Sequence, residues 1–458
     1  MVATGRLTAL PAPPIGAAMS RRTVSSVTRH APAQAFATTS HRHATAVRAF
    51  GPTDAARGEI ACDAVVIGAG FTGASAALRL AQAGRSVVLL DALEVGRGAS
   101  SRNGGLVCPG YRHGQDWFEH RMGREAARRL WTLSEDAKTF LDGLIADHAI
   151  ACDRRHGLIT AAHTPAMADA IRAEADHMER AYGYGPLTRL DAAATARRLG
   201  TDVYLSGVHD AGGGTVHPLK LLYGVAGAAV RAGARLHEGS RVLSLGEEAG
   251  RAVARTADAT IRADMAILAC DGALDGVNGE VEARVLPIGS FMLATEPLDA
   301  ALGVLPDGDG AMDTRFVVNY FCKGSDGSLL FGGGEKYTPD CPDDMAAFVR
   351  RNLLRVYPKL SGARITHAWT GALGITPTRL PFVRRLSPHV LVAAGYSGQG
   401  VLLAPYCGAL LADAAIGVSD GFDLLATLPV PAFPGGRMLR WPLLTAAMSW
   451  YALRDRIG

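Results

Sequence analysis

Lysine is nearly missing from this chain: five stand against 42 arginines, the bias of a GC-rich genome. Acids are absent from residues 1–53, which hold six of the 47 basic residues, so the rest balances at 41 basic against 43 acidic. The net charge of +4 is therefore a property of the N-terminus, and the remainder offers no basic footprint for nucleic acid. Cysteine is sparse, odd in number and scattered: the seven residues 62, 108, 152, 270, 322, 341 and 407 form no CxxC pair. That excludes a disulfide framework and a zinc site and leaves reduced, mostly buried thiols. The fourteen histidines give no HExxH and no ligand cluster, so no metal is expected. No apolar run spans a bilayer; the stretch WPLLTAAMSWYAL at 441–453 is too short and suits a docked amphipathic C-terminal helix within 431–458.

The acid-free leader, 1–53, has the Ala, Arg, Ser and Thr content of a mitochondrial transit peptide. GC-rich coding produces the same composition without any targeting role, and a disordered or over-extended N-terminus in a cytoplasmic protein is the expectation. The mitochondrial alternative stays open. Arg21-Arg22 is followed by no apolar h-region and is not a twin-arginine signal.

What is present is more specific. Residues 64–91 read AVVIGAGFTGASAALRLAQAGRSVVLLD: apolar strand, glycine turn, helix, second strand, acid. Gly68 permits a tight turn, Gly70 lets backbone approach a pyrophosphate, and Gly73 lets the helix pack on the sheet. The helix N-terminus offers N–H groups and a positive dipole end to phosphates. Asp91, 23 residues after Gly68, is placed to accept from ribose hydroxyls. The whole context predicts a dinucleotide site.

With 458 residues and 48% hydrophobic content, two domains are expected. Helical periodicity runs through 117–200; a helix, strands and the buried strand MAILAC follow to Asp271-Gly272; antiparallel strands occupy 284–335; a short strand, GYSGQG and a long helix close the pattern. The expected fold is α/β, with a discontinuous Rossmann-type domain from 60–116, 201–275 and 365–430. A mostly antiparallel β substrate domain, 117–200 and 276–364, is inserted into it.

Taken with GAGFTG, the segments GRGASSRNGG at 96–105, VLPIGSFMLATEPL, GYSGQG and the tail FPGGRMLRWPLLTAAMSWYALRDR carry a resemblance. Over roughly residues 40–458 the chain resembles the D-amino-acid-oxidase-like FAD-dependent oxidoreductases, nearest to their gamma-glutamylputrescine oxidoreductase group. The resemblance implies FAD and oxidation of an amine to an imine, with oxygen taking the electrons. It implies Gly68, Gly70, Thr72 and Gly73 on the pyrophosphate, Asp91 on the adenosine ribose and Val242 at the adenine. Ala99, Ser100, Asn103, Gly104 and Leu106 would follow the ribityl chain and flavin ring. Ala269, Cys270 and Gly272 would close the dinucleotide site, and Gly398, Gln399, Gly400 and Val401 would border the pyrimidine end. The chain departs from the pattern at YFC, 320–322, where YFR is common, and at SGQG, where SGHG is also found. The first departure removes a possible cationic substrate contact, for which Arg379 or Arg384 are substitutes.

The residues themselves support this chemistry. Hydride arriving at flavin N5 leaves negative charge over N1 and the C2 carbonyl, and a glycine turn opening a helix, as in GYSGQG before VLLAPYCG, offers fixed N–H donors there. The reacting amine must be neutral, and an apolar pocket lowers its pKa without a dedicated base. Tyr320, mid-strand, and Gln399 are the catalytic candidates; Thr376 is a lining candidate, or ordinary turn chemistry before proline. A core or surface role for Tyr320 is the plain alternative. The resemblance further implies non-covalent FAD: relatives that tether the flavin use a histidine soon after the fingerprint or a cysteine in the late strand-turn region, and here Asn103 stands at the first and GITPTRLPFV has no cysteine. A dehydrogenase passing electrons to a quinone or protein, and a non-catalytic dinucleotide-binding subunit, are the competing classes.

Overall fold

A computed structural model describes residues 39–336 and 341–436 of the 458. Its first sheet is built on five parallel strands in the order Val390–Ala394, Ala259–Leu268, Gly58–Ile67, Val87–Leu90 and Arg235–His237. Phe382–Ser387 pairs antiparallel at one edge, and the hairpin Ser244–Glu248/Arg251–Arg255 joins the early half of Ala259–Leu268. Val87–Leu90 is wholly apolar because helices cover both faces of a parallel sheet. Those helices include Phe71–Gln82, Pro218–Arg231 and Gly400–Ala415, and their buried side chains join the strands in one large core.

The second sheet has nine strands and is antiparallel except where Gly310–Asp313 runs parallel to Arg155–Ala162. The order along it is Ile365–Ile375, Leu286–Pro297, Ser328–Lys336, Tyr320–Lys323, Gly310–Asp313, Arg155–Ala162, Ser206–Thr215 and Leu106–Val107, with Leu187–Leu190 also beside Ser206–Thr215. Its own core includes Phe291, Phe321, Phe331 and Tyr357. Leu106–Val107 pairs with Thr215 and Gly214, which ties the segment following the fingerprint to this sheet.

Assignments of three kinds, for strands, a helix and the leader, differ from the sequence expectation. Ser206–Thr215 and Ile365–Ile375, expected with the nucleotide-binding part, hydrogen-bond within the second sheet. Helix Arg124–Asp147, expected with the substrate part, turns Ala127, Leu130, Ala137, Leu141 and Leu144 into the first core, against Gly400–Ala415. Periodicity reports that a face is buried but not against what, so such exchanges are invisible to it.

The third concerns the leader. From residue 39 onward it is not a flexible tail: Ser40, His41 and Arg42 are buried, and Ser40 Oγ accepts from His43 N (3.3 Å) to cap the short helix His41–Ala44. The stretch 441–453, expected to be a docked helix, lies outside the described residues. Among the described residues no single helix is long and apolar enough to cross a membrane.

Candidate active site

The carboxyl ends of the parallel strands converge on the glycine turn. Gly68 has φ +100°, and a Cβ there would lie 2.7 Å from the Ala269 carbonyl oxygen; at Gly73 it would lie 1.8 Å from Gly68 O. Both positions exclude any side chain. Gly70 opens the helix Phe71–Gln82 without a side-chain cap of its own, and a Cβ there would stand 2.9 Å from Ser100 Oγ. Ser100 Oγ accepts from Phe71 N at 3.0 Å, which brings the Ala99–Ser101 turn to the helix N-terminus. The uncapped helix N-terminus and one hydroxyl meet here, a donor set that fits a dinucleotide pyrophosphate. The Thr72 hydroxyl pairs with Tyr396 OH at 2.7 Å, which ties the start of this helix to the late turn.

Asp91 sits at the end of its strand. Its carboxylate accepts from Ala69 N (2.8 Å) and Leu93 N (2.9 Å), so it shapes the glycine turn. Burial outweighs these two bonds and pushes its pKa up to about 6. Buried Val242 follows Ser240, whose N–H donates to Asp91 O at 2.7 Å. Ala269 N and the Cys270 thiol both donate to Ile67 O, at 2.8 and 3.1 Å, placing them beside Gly68. Gly272 packs on Pro287, 3.1 Å from where its Cβ would be.

Next to them stands a residue that sequence reasoning passed over. The Asp271 carboxylate accepts from Gly395 N (2.7 Å) and Gly374 N (3.0 Å), stapling the late glycine turn and the second sheet to the end of the first. Burial raises its pKa despite these bonds. An acid directly after a buried strand and before glycine was the available signal.

The late turn holds Gly395 (φ +74°), Ser397 (φ 52°) and Gly398 (φ +102°) in left-handed backbone and delivers Gln399 as the N-cap of Gly400–Ala415. No side chain caps this helix, so Gly400 and Val401 stand at an amino terminus able to receive negative charge. Gln399 Oε1 is buried without a hydrogen-bond partner, an acceptor waiting for a donor such as the imide N–H of a flavin.

Residues 99–106 run between the two sheets. Asn103 is their internal brace: its Nδ2 donates to Ala99 O and Ser100 O (both 3.1 Å), and its Oδ1 accepts from Gly105 N (2.8 Å). Strand alternation puts Phe321 into the second core and turns Tyr320 and Cys322 the other way, toward Gly104. The Tyr320 ring lies 2.7 Å from where a Gly104 Cβ would be and covers Gly332, its cross-strand neighbour. Its hydroxyl pairs with Ser290 Oγ at 2.7 Å. Leu106 and Tyr320 pack on Met292, Ala294, Cys322, Leu330 and Trp369, an apolar wall beside the loop.

Several expectations are corrected. Arg384 Nη2 donates to Leu428 O (2.6 Å) and Nη1 to Val383 O (2.7 Å), so it is spent on loop packing, not on a substrate carboxylate. Thr376 Oγ1 donates to Leu380 O at 2.7 Å, the turn chemistry that was the plain alternative. Cys322 does not leave its surroundings without a cation: the guanidinium of buried Arg42 lies 3.8 Å from its Sγ. Nothing in the leader's composition pointed to Arg42.

The seven cysteines are free thiols, and burial pushes Cys108, Cys270 and Cys407 up to about 12. Among the described residues no group of three or more His, Cys, Asp or Glu could hold a metal.

Comparison with known proteins agrees with this geometry. Residues 63–414 match the DAO family model, described as FAD dependent oxidoreductase. The chain is 44% identical over 394 residues to a probable oxidoreductase OrdL of Rhizobium meliloti, covering 86% of this chain and 92% of that one. It is 36% identical over 423 residues to gamma-glutamylputrescine oxidoreductase of Escherichia coli, covering 92% and 99%. Among solved structures, glycine oxidase of Geobacillus kaustophilus superposes with a TM-score of 0.69 at 21% identity, over 80% of this chain and 97% of that one. L-proline dehydrogenase of P. horikoshii gives 0.66 at 16% identity, over 81% and 96%; both show the shared two-sheet α/β fold. A glycine cradle for the pyrophosphate, an uncapped helix for the flavin edge and a matching family model over most of the chain lead to one conclusion: this protein belongs to the DAO family of FAD-dependent oxidoreductases.

Proposed function

We propose that the protein oxidises an aliphatic amine of the polyamine-derivative kind to an imine and passes the electrons to oxygen, giving hydrogen peroxide. The observation that carries this reading is the Tyr320 ring lying on Gly104 of the cofactor loop, with an apolar wall around it and its hydroxyl on Ser290. FAD, held without a covalent bond, supplies a hydride acceptor when bound. The chain's own contribution is to place, dry and polarise. The wall of Leu106, Met292 and Trp369 excludes water and disfavours a charged ammonium, so the substrate nitrogen is held neutral with its lone pair available. Tyr320 and Ser290 offer a hydroxyl pair to orient that nitrogen. The N–H groups of Gly400 and Val401 and the Gln399 side chain hold the opposite edge of the site, where negative charge develops.

The polyamine assignment draws on the similarity to gamma-glutamylputrescine oxidoreductase over nearly the whole chain; a cytoplasmic location is part of the same proposal, on the reading that GC-rich coding accounts for the leader's composition. A peroxide-coupled screen of putrescine, spermidine and their gamma-glutamyl derivatives against glycine and D-alanine tests it. Highest kcat/KM is expected among the polyamine derivatives. Glycine or D-alanine as best substrate overturns the substrate class, and turnover seen only with a quinone or dye acceptor overturns the oxidase reading.

A further inference from the structure

The short helix His41–Ala44 and its flanks touch the cofactor loop at both ends. His43 Nε2 bonds to Gly96 O at 2.9 Å, and Arg42 Nη2 donates to Gly104 O at the same distance. Arg48 pairs with Glu238 (2.7 Å), whose other oxygen accepts from Val95 N (2.7 Å), a third tie to the start of the loop. From the other side, His41 Nε2 reaches Asp326 (2.9 Å) and Ser328 Oγ (3.1 Å) on the second sheet. Thr45 Oγ1 meets Nε2 of His217 (3.0 Å), the N-cap of Pro218–Arg231. Consecutive residues thus fasten the loop, the second sheet and the first-sheet helices together.

Arg42 is the unusual member. Its side chain is buried, its Nε has no partner, and the groups it reaches are a carbonyl and a thiol. The nearby carboxylates are committed elsewhere: Asp153 bonds to Lys220, and Asp326 to His41. A Cβ on Gly105 would lie 3.1 Å from Arg42 Nη2, so the guanidinium sits directly under the Gly104–Gly105 backbone. A guanidinium does not shed its proton to escape burial, and a buried cation without a carboxylate is costly. Its place is explained if negative charge arrives on the other side of that backbone.

We propose that Arg42 is a positioning residue for the flavin: its helix clasps the loop at Gly96 and Gly104, and its guanidinium supplies fixed positive charge beside the ring. This rests on the reading that residues 99–106 line the flavin. Purified holoenzyme carrying Arg42→Met or Arg42→Gln is measured for the midpoint potential of its flavin and for the rate of FAD release. Removing the charge disfavours the electron-rich reduced ring, so both variants are expected to show a lower potential and about tenfold faster release. Arg42→Lys should restore the potential. Arg42→Gln still donates to Gly104 O and carries the test should the Met variant not fold. An unchanged potential in the neutral variant overturns the proposal whatever happens to release. Gly70→Val separates the two readings: if it strips FAD while Arg42→Gln leaves the potential unchanged, the role of Arg42 alone fails. If Gly70→Val also keeps FAD, the pyrophosphate cradle, and with it the FAD site as a whole, is wrongly placed.

Discussion

Asp91 does two things with one carboxylate. It accepts from Ala69 N and Leu93 N, and at the strand end it is the acid we propose for the adenosine ribose. Its pKa, pushed up to about 6 by burial, means that the uncomplexed protein protonates it well above the usual carboxylate range. Ribose hydroxyls donate to the ionised form, so affinity for FAD should fall as pH is lowered through about 6. Titrating apoprotein with FAD from about pH 5 to about pH 8, on both sides of the folded value of about 6, checks this, and Asp91→Asn should flatten the dependence. A native dependence as flat as the Asn variant's would remove Asp91 from the ribose. The sign for folding runs the other way: a carboxyl whose folded pKa is raised above about 3.9 binds its proton more tightly when folded. Asp91 therefore weakens the apoprotein as pH rises between those two values. Asp91→Ala leaves two backbone N–H groups without their acceptor, at about 1–3 kcal/mol each, and is expected to weaken FAD binding by about one to two orders of magnitude.

At the scale of elements, the decisive contact is a helix crossing. Phe71–Gln82 is rich in Ala, and Gly400–Ala415 approaches it so closely that a Cβ on Gly408 would stand 2.1 Å from Thr72 O. The same crossing carries the Thr72–Tyr396 hydrogen bond, so the early glycine turn and the late glycine turn are set by one packing event. Gly408→Ala must push the helices apart. Overpacking of this kind costs about 1–3 kcal/mol, seen as a fall of several degrees in the melting temperature and faster loss of FAD. An unchanged melting temperature would show that the crossing has slack. The N-terminal clasp is the second such element. Its contacts are made by residues 40–48, so removal of residues 1–38 is expected to leave flavin content intact, whereas removal of residues 1–48 should lose it. Equal flavin content in the two truncations, read from the absorbance spectrum, would contradict this.

Across the whole molecule, the site draws on segments distant in sequence: residues 68–73, 91, 99–106, 269–272, 320 and 395–401, with Arg42 beneath. The proposed non-covalent hold on FAD depends on all of them being in place together. Asn103 uses its side chain to brace the loop, and Cys108 and Cys407 are buried thiols raised to about 12, poor nucleophiles at neutral pH. Denaturation should therefore release the cofactor. Acid precipitation is expected to leave the yellow colour in the supernatant; a yellow pellet, with a flavin-sized mass added to one peptide, would refute it.

The sequence alone determined the dinucleotide fingerprint, because its requirements are local. A turn at positive φ, close backbone approach and helix packing each demand glycine at one position, and GAGFTG meets all three within six residues. Apolar strands and helical stripes were likewise legible, since period and burial go together. Which sheet each element joins was not: Ser206–Thr215, Ile365–Ile375 and Arg124–Asp147 have ordinary patterns that fit either core. Nor could composition show that residues 39–48 leave the biased leader and become a clasp. Only tertiary structure decided that Arg42 lies under Gly104, that Asp271 staples the late glycine turn to the second sheet, and that Tyr320 covers the Gly104 backbone. Those are contacts between segments tens to hundreds of residues apart, and they are chosen by the packing of whole layers, for which no short run of sequence carries a signal.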